Sequence, residues 1–304
     1  MSDSSVAAMS SSIEVDGRHR TYTVVGEHEG PAGRPLVLVF HGSRQTGRVF
    51  RRFTGGAFDA LAGTAVVAYL DGYRGNWNDA RRESSFPART EGVDDVAFTR
   101  AVVRELAASH GVDPGRVHAV GYSNGGQMVL RLLHETPGLL AGAVVVGATL
   151  PAPGSLLLPS PAPAPVPLPV LVVHGTGDRV VPYGGGPVPG WVRLLFKVGG
   201  ANLSAAQTAE HLARRNGITR PPRSRRLAAP AHPARTRAGR RTRPWVEQTD
   251  HVETGRPPVR LLTVHGGGHT VPGPGRPPFV LGRTTRDVSV AEVAAELFDL
   301  TPRE

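Results

Sequence analysis

The sequence has no cysteine among its 304 residues, which excludes disulfides, thiolate metal sites and a cysteine nucleophile together. It has no run approaching 18 consecutive apolar residues, so no transmembrane helix is expected. Residues 1–17, MSDSSVAAMSSSIEVDG, lack a basic segment followed by an apolar one, the pattern of a secretory signal. They read as a polar, disordered leader. The cytoplasm is the expected compartment, and the extracellular space is the alternative. Residues 214–243 contain eleven arginines and no acidic residue; without them the formal charge of +10 becomes −1. Nucleic-acid binders spread basic residues over a folded face. Here the charge sits in one Pro- and Arg-rich stretch with few apolar residues, so a solvated, poorly ordered insertion is expected and nucleic acid is not an expected partner. No internal repeat is visible.

What is present is a hydrophobic fraction of 39% with 20% charged residues, enough for a large core. Short apolar runs at 20–25, 35–40, 64–70, 116–120, 141–147, 170–174 and 259–265 read as strands. Helical spacing at 93–109, 125–135, near 204–216 and near 288–299 alternates with them. Strands alternating with helices predict an α/β fold with a mainly parallel sheet and helices on both faces. A Pro-rich connection at 151–169 is expected to run extended over the surface. One domain, residues 18–304, is expected to carry both insertions.

Residues 121–125 read GYSNG, a G-x-S-x-G pattern between a predicted strand and a predicted helix. A nucleophile on such a sharp turn needs small neighbours, and Gly121, Gly125 and Gly126 supply them. Ser123 is therefore the candidate nucleophile. A serine hydroxyl needs an imidazole to take its proton, and the imidazole needs a carboxylate to orient it. In α/β-hydrolases these follow in the order Ser, acid, His. Asp178 follows the strand at 170–174, whereas Asp71 precedes Ser123 and Asp94 and Asp95 stand at a helix start, where capping explains them. Of 12 histidines, His269 follows the last core strand in VHGGGHTVPG, where its glycines suggest a mobile, tight loop. His265 ends that strand and reads as packed, and His41 and His174 read as turn residues. The oxyanion hole is expected from the backbone N–H groups of Asn124 and Ser43. No metal or organic cofactor is implied.

The runs FHGSRQTG (40–47), YLDGYRGNW (69–77), GVDDVAFTRAVV (92–103), DPGRVHAVGYSNGG (113–126), VLVVHGTGDRVVPYGGG (170–186) and VHGGGHTVPG (264–273) resemble the poly(3-hydroxybutyrate) depolymerase-like esterases, a group that includes feruloyl and acetylxylan esterases. The resemblance implies an α/β-hydrolase fold and hydrolysis of carboxylic esters of the hydroxyalkanoate, feruloyl or acetyl type through Ser123, Asp178 and His269. A small-molecule or polymer ester is the expected substrate. Members are often secreted and disulfide-bonded. Here Cys is absent, Val271 stands where Trp commonly follows the histidine, and the Arg-rich stretch has no counterpart. Trp77 is then the candidate aromatic lining of the acyl site. A peptidase or thioesterase on the same fold, and a polyanion binder acting through 214–243, are the alternative functions.

Overall fold

A computed structural model describes residues 8–26, 32–157, 162–228 and 243–300. In chain order the strands are β1 (Ala8–Val15), β2 (Arg18–Val25), β3 (Arg34–Phe40), β4 (Val66–Leu70), β5 (Val112–Tyr122), β6 (Gly142–Val146), β7 (Val170–Gly175), β8 (Gly186–Pro187), β9 (Ala201–Asn202), β10 (Arg223–Arg226), β11 (Trp245–His251) and β12 (Val259–His265). The helices are α1 (Gly47–Phe53), α2 (Pro87–Thr90), α3 (Asp95–His110), α4 (Asn124–Glu135), α5 (Gly190–Phe196), α6 (Ala205–Arg215) and α7 (Val290–Leu297).

Ten strands form one sheet in the order β1-β2-β4-β3-β5-β6-β7-β12-β11-β10. From β4 to β12 the pairing is parallel, and the strands outside that block pair antiparallel. The continuous apolar runs of β3, β4, β6 and β7 follow from burial on both faces. In β3 the two-residue period sends Leu36, Leu38 and Phe40 into one core layer and Val37 and Val39 into the other. Val96, Phe98, Val102 and Leu106 of α3, Met128 and Leu132 of α4 and Leu212 of α6 pack on the first layer. Phe50 of α1 and Ala291 and Ala294 of α7 pack on the second. The α/β fold with helices on both faces is as expected. Among the described residues no helix is long and apolar enough to cross a membrane.

Two expectations need correction. The leader is not disordered over residues 8–15, which form β1 and pair with β2 in a hairpin whose register begins at Val15↔Arg18. Asp16 and Gly17 both have positive φ, 49° and 67°, as a two-residue hairpin turn requires. The backbone pairing, with only Ile13 and Val15 packed against the core, orders a segment that has no apolar run. Residues 1–7 lie outside the described residues.

The Arg-rich stretch is likewise ordered where it is described. Arg214 and Arg215 end α6, with Arg214 paired to Glu210. Residues 223–226 form β10, which no hydrophobic pattern could reveal because every side chain is exposed. In the register with β11, Arg223 stands opposite Asp250 and Arg226 opposite Glu247. Residues 229–242 lie outside the described residues. β11 also escaped the pattern, since its polar residues leave only Val246 as a fully buried apolar position. The Pro-rich connection makes only isolated bridges, at Pro151 and Leu156, and 158–161 lie outside the described residues.

Several histidines are buried in this frame. Burial lowers His41, His118 and His134 to about 4, with nearby arginines adding to the effect. Between that value and the ordinary imidazole value of about 6.5, the unfolded chain binds protons that the folded chain refuses, so stability rises with pH. The Asp95 carboxyl, pushed up by burial despite Arg20, opposes the trend. Each ring contributes up to about 1.4 kcal/mol per pH unit in that window. The melting temperature is therefore expected to fall by about 10 °C or more between pH 7 and pH 4.5. Scanning fluorimetry that finds a flat profile would contradict the buried neutral rings.

Candidate active site

The candidate side chains Ser123, Asp178 and His269 converge at the carboxyl ends of the parallel strands, where α/β sheets gather ligands. β5 ends at Tyr122, and Ser123 turns the chain into α4 with φ 54° and ψ −116°. That conformation is costly for a residue with a Cβ. It persists because the surroundings leave no alternative. A Cβ on Gly121 would sit 2.2 Å from the Gly125 oxygen, and one on Gly125 would sit 2.1 Å from the Phe40 oxygen. Ser123 N–H donates to Val146 O at 2.8 Å, tying the turn to β6.

His269 Nε2 lies 2.9 Å from Ser123 Oγ, and its Nδ1 lies 2.7 Å from Asp178 Oδ2. Asp178 Oδ1 accepts from the backbone N–H groups of Val180 and Val181 at 2.8 and 2.9 Å. Burial alone would raise the Asp178 carboxyl, but the His269 ring and hydrogen bonds from His174 and His269 outweigh it and hold the group well below the usual carboxylate range. The loop carrying His269 is tight but pinned, in contrast to the mobile loop its glycines suggested. Gly268 N–H donates to Arg283 O and His269 N–H to Leu281 O. A Cβ on Gly268 would meet that same Leu281 oxygen at 2.1 Å, so the glycine serves close approach.

With this geometry in view, comparison with known proteins places the chain. A phospholipase/carboxylesterase family profile matches residues 77–187. NocK of Nocardia uniformis subsp. tsuyamanensis, which carries an esterase designation, is 35% identical over 93% of this chain and 80% of its own length. The chain belongs to the α/β-hydrolase esterases. Feruloyl esterase B of Piromyces equi is 26% identical over 79% of this chain, which spans 40% of that protein's length. The structure of an acetyl xylan esterase from Aspergillus awamori superposes with a TM-score of 0.53 at 13% identity, covering 93% of this chain and 94% of that one, and shows the shared fold. The protein is a serine hydrolase of carboxylic esters.

In this esterase the loop after β3 and the start of α4 face one cavity of about 140 Å³, which Ser43, Ser123, Asn124 and His269 line together. The N–H groups on either side of Ser43 are committed, Gly42 to Gln45 Oε1 and Arg44 to Gly75 O. Asn124 opens α4, where first-turn N–H groups lack helical partners and the helix dipole favours negative charge. Its side chain accepts from Trp77 N–H at 2.9 Å and donates to Asp79 Oδ2 at 2.5 Å, anchoring the helix start.

Trp77 is not the pocket lining it was expected to be. Its side chain is fully buried against Phe40 and His41, and it is absent from the cavity wall. Its indole N–H donates to His41 O at 2.9 Å, so it braces the loop bearing Ser43 from behind. A large aromatic beside a turn looks the same in sequence whether it faces ligand or core. The apolar wall comes instead from Phe86, Val180, Val188, Val192 and Phe196, together with Leu281. Val271 packs in the core below the histidine loop.

The other polar candidates take structural roles. His41 Nε2 accepts from Gly72 N–H while Nδ1 donates to Gly42 O. Asp71 accepts from Gly47 N–H and from Thr21. Asp94 caps α3 through Ala97 N–H, but Asp95 pairs with buried Arg20 rather than capping. His265 stacks on Trp245. Two contributors were not anticipated. His174, expected in a turn, is instead a buried residue of β7 paired with Thr263 of β12, and it lies 3.4 Å from Asp178 Oδ2. Tyr122 donates its hydroxyl to His269 O at 2.7 Å and packs against the imidazole. The adjacency of Tyr122 to Ser123 and the place of His174 at the head of the HGTGD run, residues 174–178, were the available signals.

Proposed function

We propose that Ser123 Oγ attacks the ester carbonyl while His269 Nε2 takes its proton, and that the same proton is then delivered to the departing alcohol. Asp178 holds the imidazole in the tautomer with hydrogen on Nδ1 and stabilises the imidazolium. The N–H groups of Ser43 and Asn124 receive the oxyanion. Water then attacks the acyl carbon while giving a proton to His269, and His269 returns that proton to Ser123 Oγ as the bond to the acyl group breaks and the acid leaves. The observation that carries this reading is the unbroken chain from Ser123 Oγ through His269 to Asp178, with bonds of 2.9 and 2.7 Å at the cavity wall.

The cavity also bears on the substrate. Its volume of about 140 Å³ resembles a cavity of roughly 150 Å³ that admits benzene. The acyl group we propose is compact, a short chain or a single ring. A series of p-nitrophenyl esters from acetate to decanoate, with matching thioesters and anilides, tests both points. kcat/KM is expected to peak at short acyl chains, with the anilides essentially inert. Preferred cleavage of the thioesters or anilides would replace ester hydrolysis as the working activity, and a maximum at decanoate would overturn the compact acyl site.

A further inference from the structure

Four groups converge on the Asp178 carboxylate, and one of them stands outside the chain from Ser123 to Asp178 by way of His269. The N–H groups of Val180 and Val181 take Oδ1, and His269 Nδ1 takes Oδ2. The fourth is His174, whose Nε2 lies 3.4 Å from that same Oδ2. Its side chain is fully buried, and β7, which carries it, is paired on one side with β6 and on the other with β12. The ring is therefore mounted on one of the most firmly held strands of the sheet.

The tautomer of this imidazole follows from what its two nitrogens face. Nε2 has two oxygens before it, Val181 O at 2.8 Å and Asp178 Oδ2 at 3.4 Å. Nδ1 is buried, and among the described residues nothing bonds to it. A hydrogen on Nδ1 would be a buried donor without an acceptor, and Nε2 would then set a lone pair against two oxygens. The hydrogen therefore resides on Nε2. It donates to Val181 O and presents its positive end to the carboxylate. Val181 is gripped twice in this way, its carbonyl by His174 and its N–H by Asp178 Oδ1. Val180 and Val181 also line the cavity, so the same grip sets part of its wall.

We propose that His174 is a positioning residue for ester hydrolysis, whose Nε2–H locks the loop 176–181 onto β7 and shares Asp178 Oδ2 with His269. The inference rests on Asp178 being the carboxylate that orients His269. The lock keeps Oδ2 at 2.7 Å from His269 Nδ1. The sharing has a separate effect, because a carboxylate facing a second N–H offers less of its charge to the imidazolium. Burial would raise the Asp178 carboxyl, and the His269 ring together with His174 holds it down. The other titratable groups around this pair are Tyr122, at the end of β5, and Tyr183, whose ring packs edge-on against His174 and whose hydroxyl meets Thr263 of β12.

The test uses two variants and one measurement on the wild type. His174→Phe keeps a flat ring and removes the donor, whereas His174→Gln returns a side-chain N–H. Turnover of p-nitrophenyl acetate is followed, with active sites counted by fluorophosphonate titration. In His174→Phe, kcat is expected to fall by about 10–100-fold with KM within about threefold of wild type, the pattern of a displaced catalytic group. The acidic limb of kcat/KM is expected to move up by about half a pH unit, since the His269 imidazolium then has Oδ2 to itself. His174→Gln is expected to recover most of both changes. Equal losses in the two variants with an unmoved limb would reduce His174 to packing and overturn the proposal, as would kcat within about threefold of wild type in His174→Phe. Spectra of the ¹⁵N-histidine-labelled wild type at pH 7 are expected to show His174 with its hydrogen on Nε2. Finding it on Nδ1 overturns the proposal even if neither variant folds. If the wild type cleaves no ester, or Asp178→Asn keeps near-normal turnover, the fault lies instead with the triad on which the proposal rests.

Discussion

Ser123→Ala is expected to lower kcat for any ester by about 10⁶, with fluorophosphonate labelling lost at the same time. The substitution removes the attacking oxygen and leaves His269 Nε2 without its 2.9 Å partner, while the N–H groups near Ser43 and Asn124 stay in place. Residual turnover above the uncatalysed rate is expected from those groups and from the cavity. KM should change little, because the cavity walls are untouched. The fold should survive, since alanine and serine share the same cost at φ 54° and the turn is enforced by the packing around Gly121 and Gly125. Circular dichroism and melting temperature check this. Adding Asp178→Asn to Ser123→Ala should cost almost nothing more, as groups acting in one relay are not additive. Labelling at another serine, or turnover within about a hundredfold of wild type, would remove Ser123 from its role.

Asp178→Asn is expected to cost about 10⁴ in kcat, the effect such a change has in a serine protease. The local bonding makes the direction specific. Val180 and Val181 both point backbone N–H groups at Oδ1, so an asparagine must keep its oxygen there. Its NH₂ then occupies the Oδ2 position, 2.7 Å from His269 Nδ1. A donor facing that nitrogen makes it the acceptor, the ring carries its hydrogen on Nε2 instead, and the imidazole can no longer take the serine proton. Raising the pH should not restore activity, since the fault is the tautomer rather than the charge. Near-normal turnover in Asp178→Asn would point to a different carboxylate as the orienting group.

The parts legible beforehand share one property, a local pattern with a local cause. The buried strands read directly as apolar runs, since β3 and β7 are covered on both faces and tolerate nothing polar. GYSNG and HGTGD were legible for a similar reason, because a sharp turn at a strand end demands small residues within a few positions. The elements that escaped notice depend on partners far away in the chain. β10 is a row of arginines and serine whose strand character comes from pairing with β11, more than 20 residues later. β1 could have been read from Asp16-Gly17, a turn signal outweighed by the polarity around it.

The same division runs through the site. Residue type, chain order and glycine spacing determined which serine, acid and histidine to bring together, because turn sterics and proton transfer restrict those choices before folding. Only the tertiary structure decided what each neighbour faces. Trp77 turned inward to hold His41, Tyr122 took the His269 carbonyl, and Gln127 was left with a buried acceptor that no donor among the described residues reaches. A side chain's direction is set by the packing of strands and helices that lie far apart in sequence, and no local pattern encodes it.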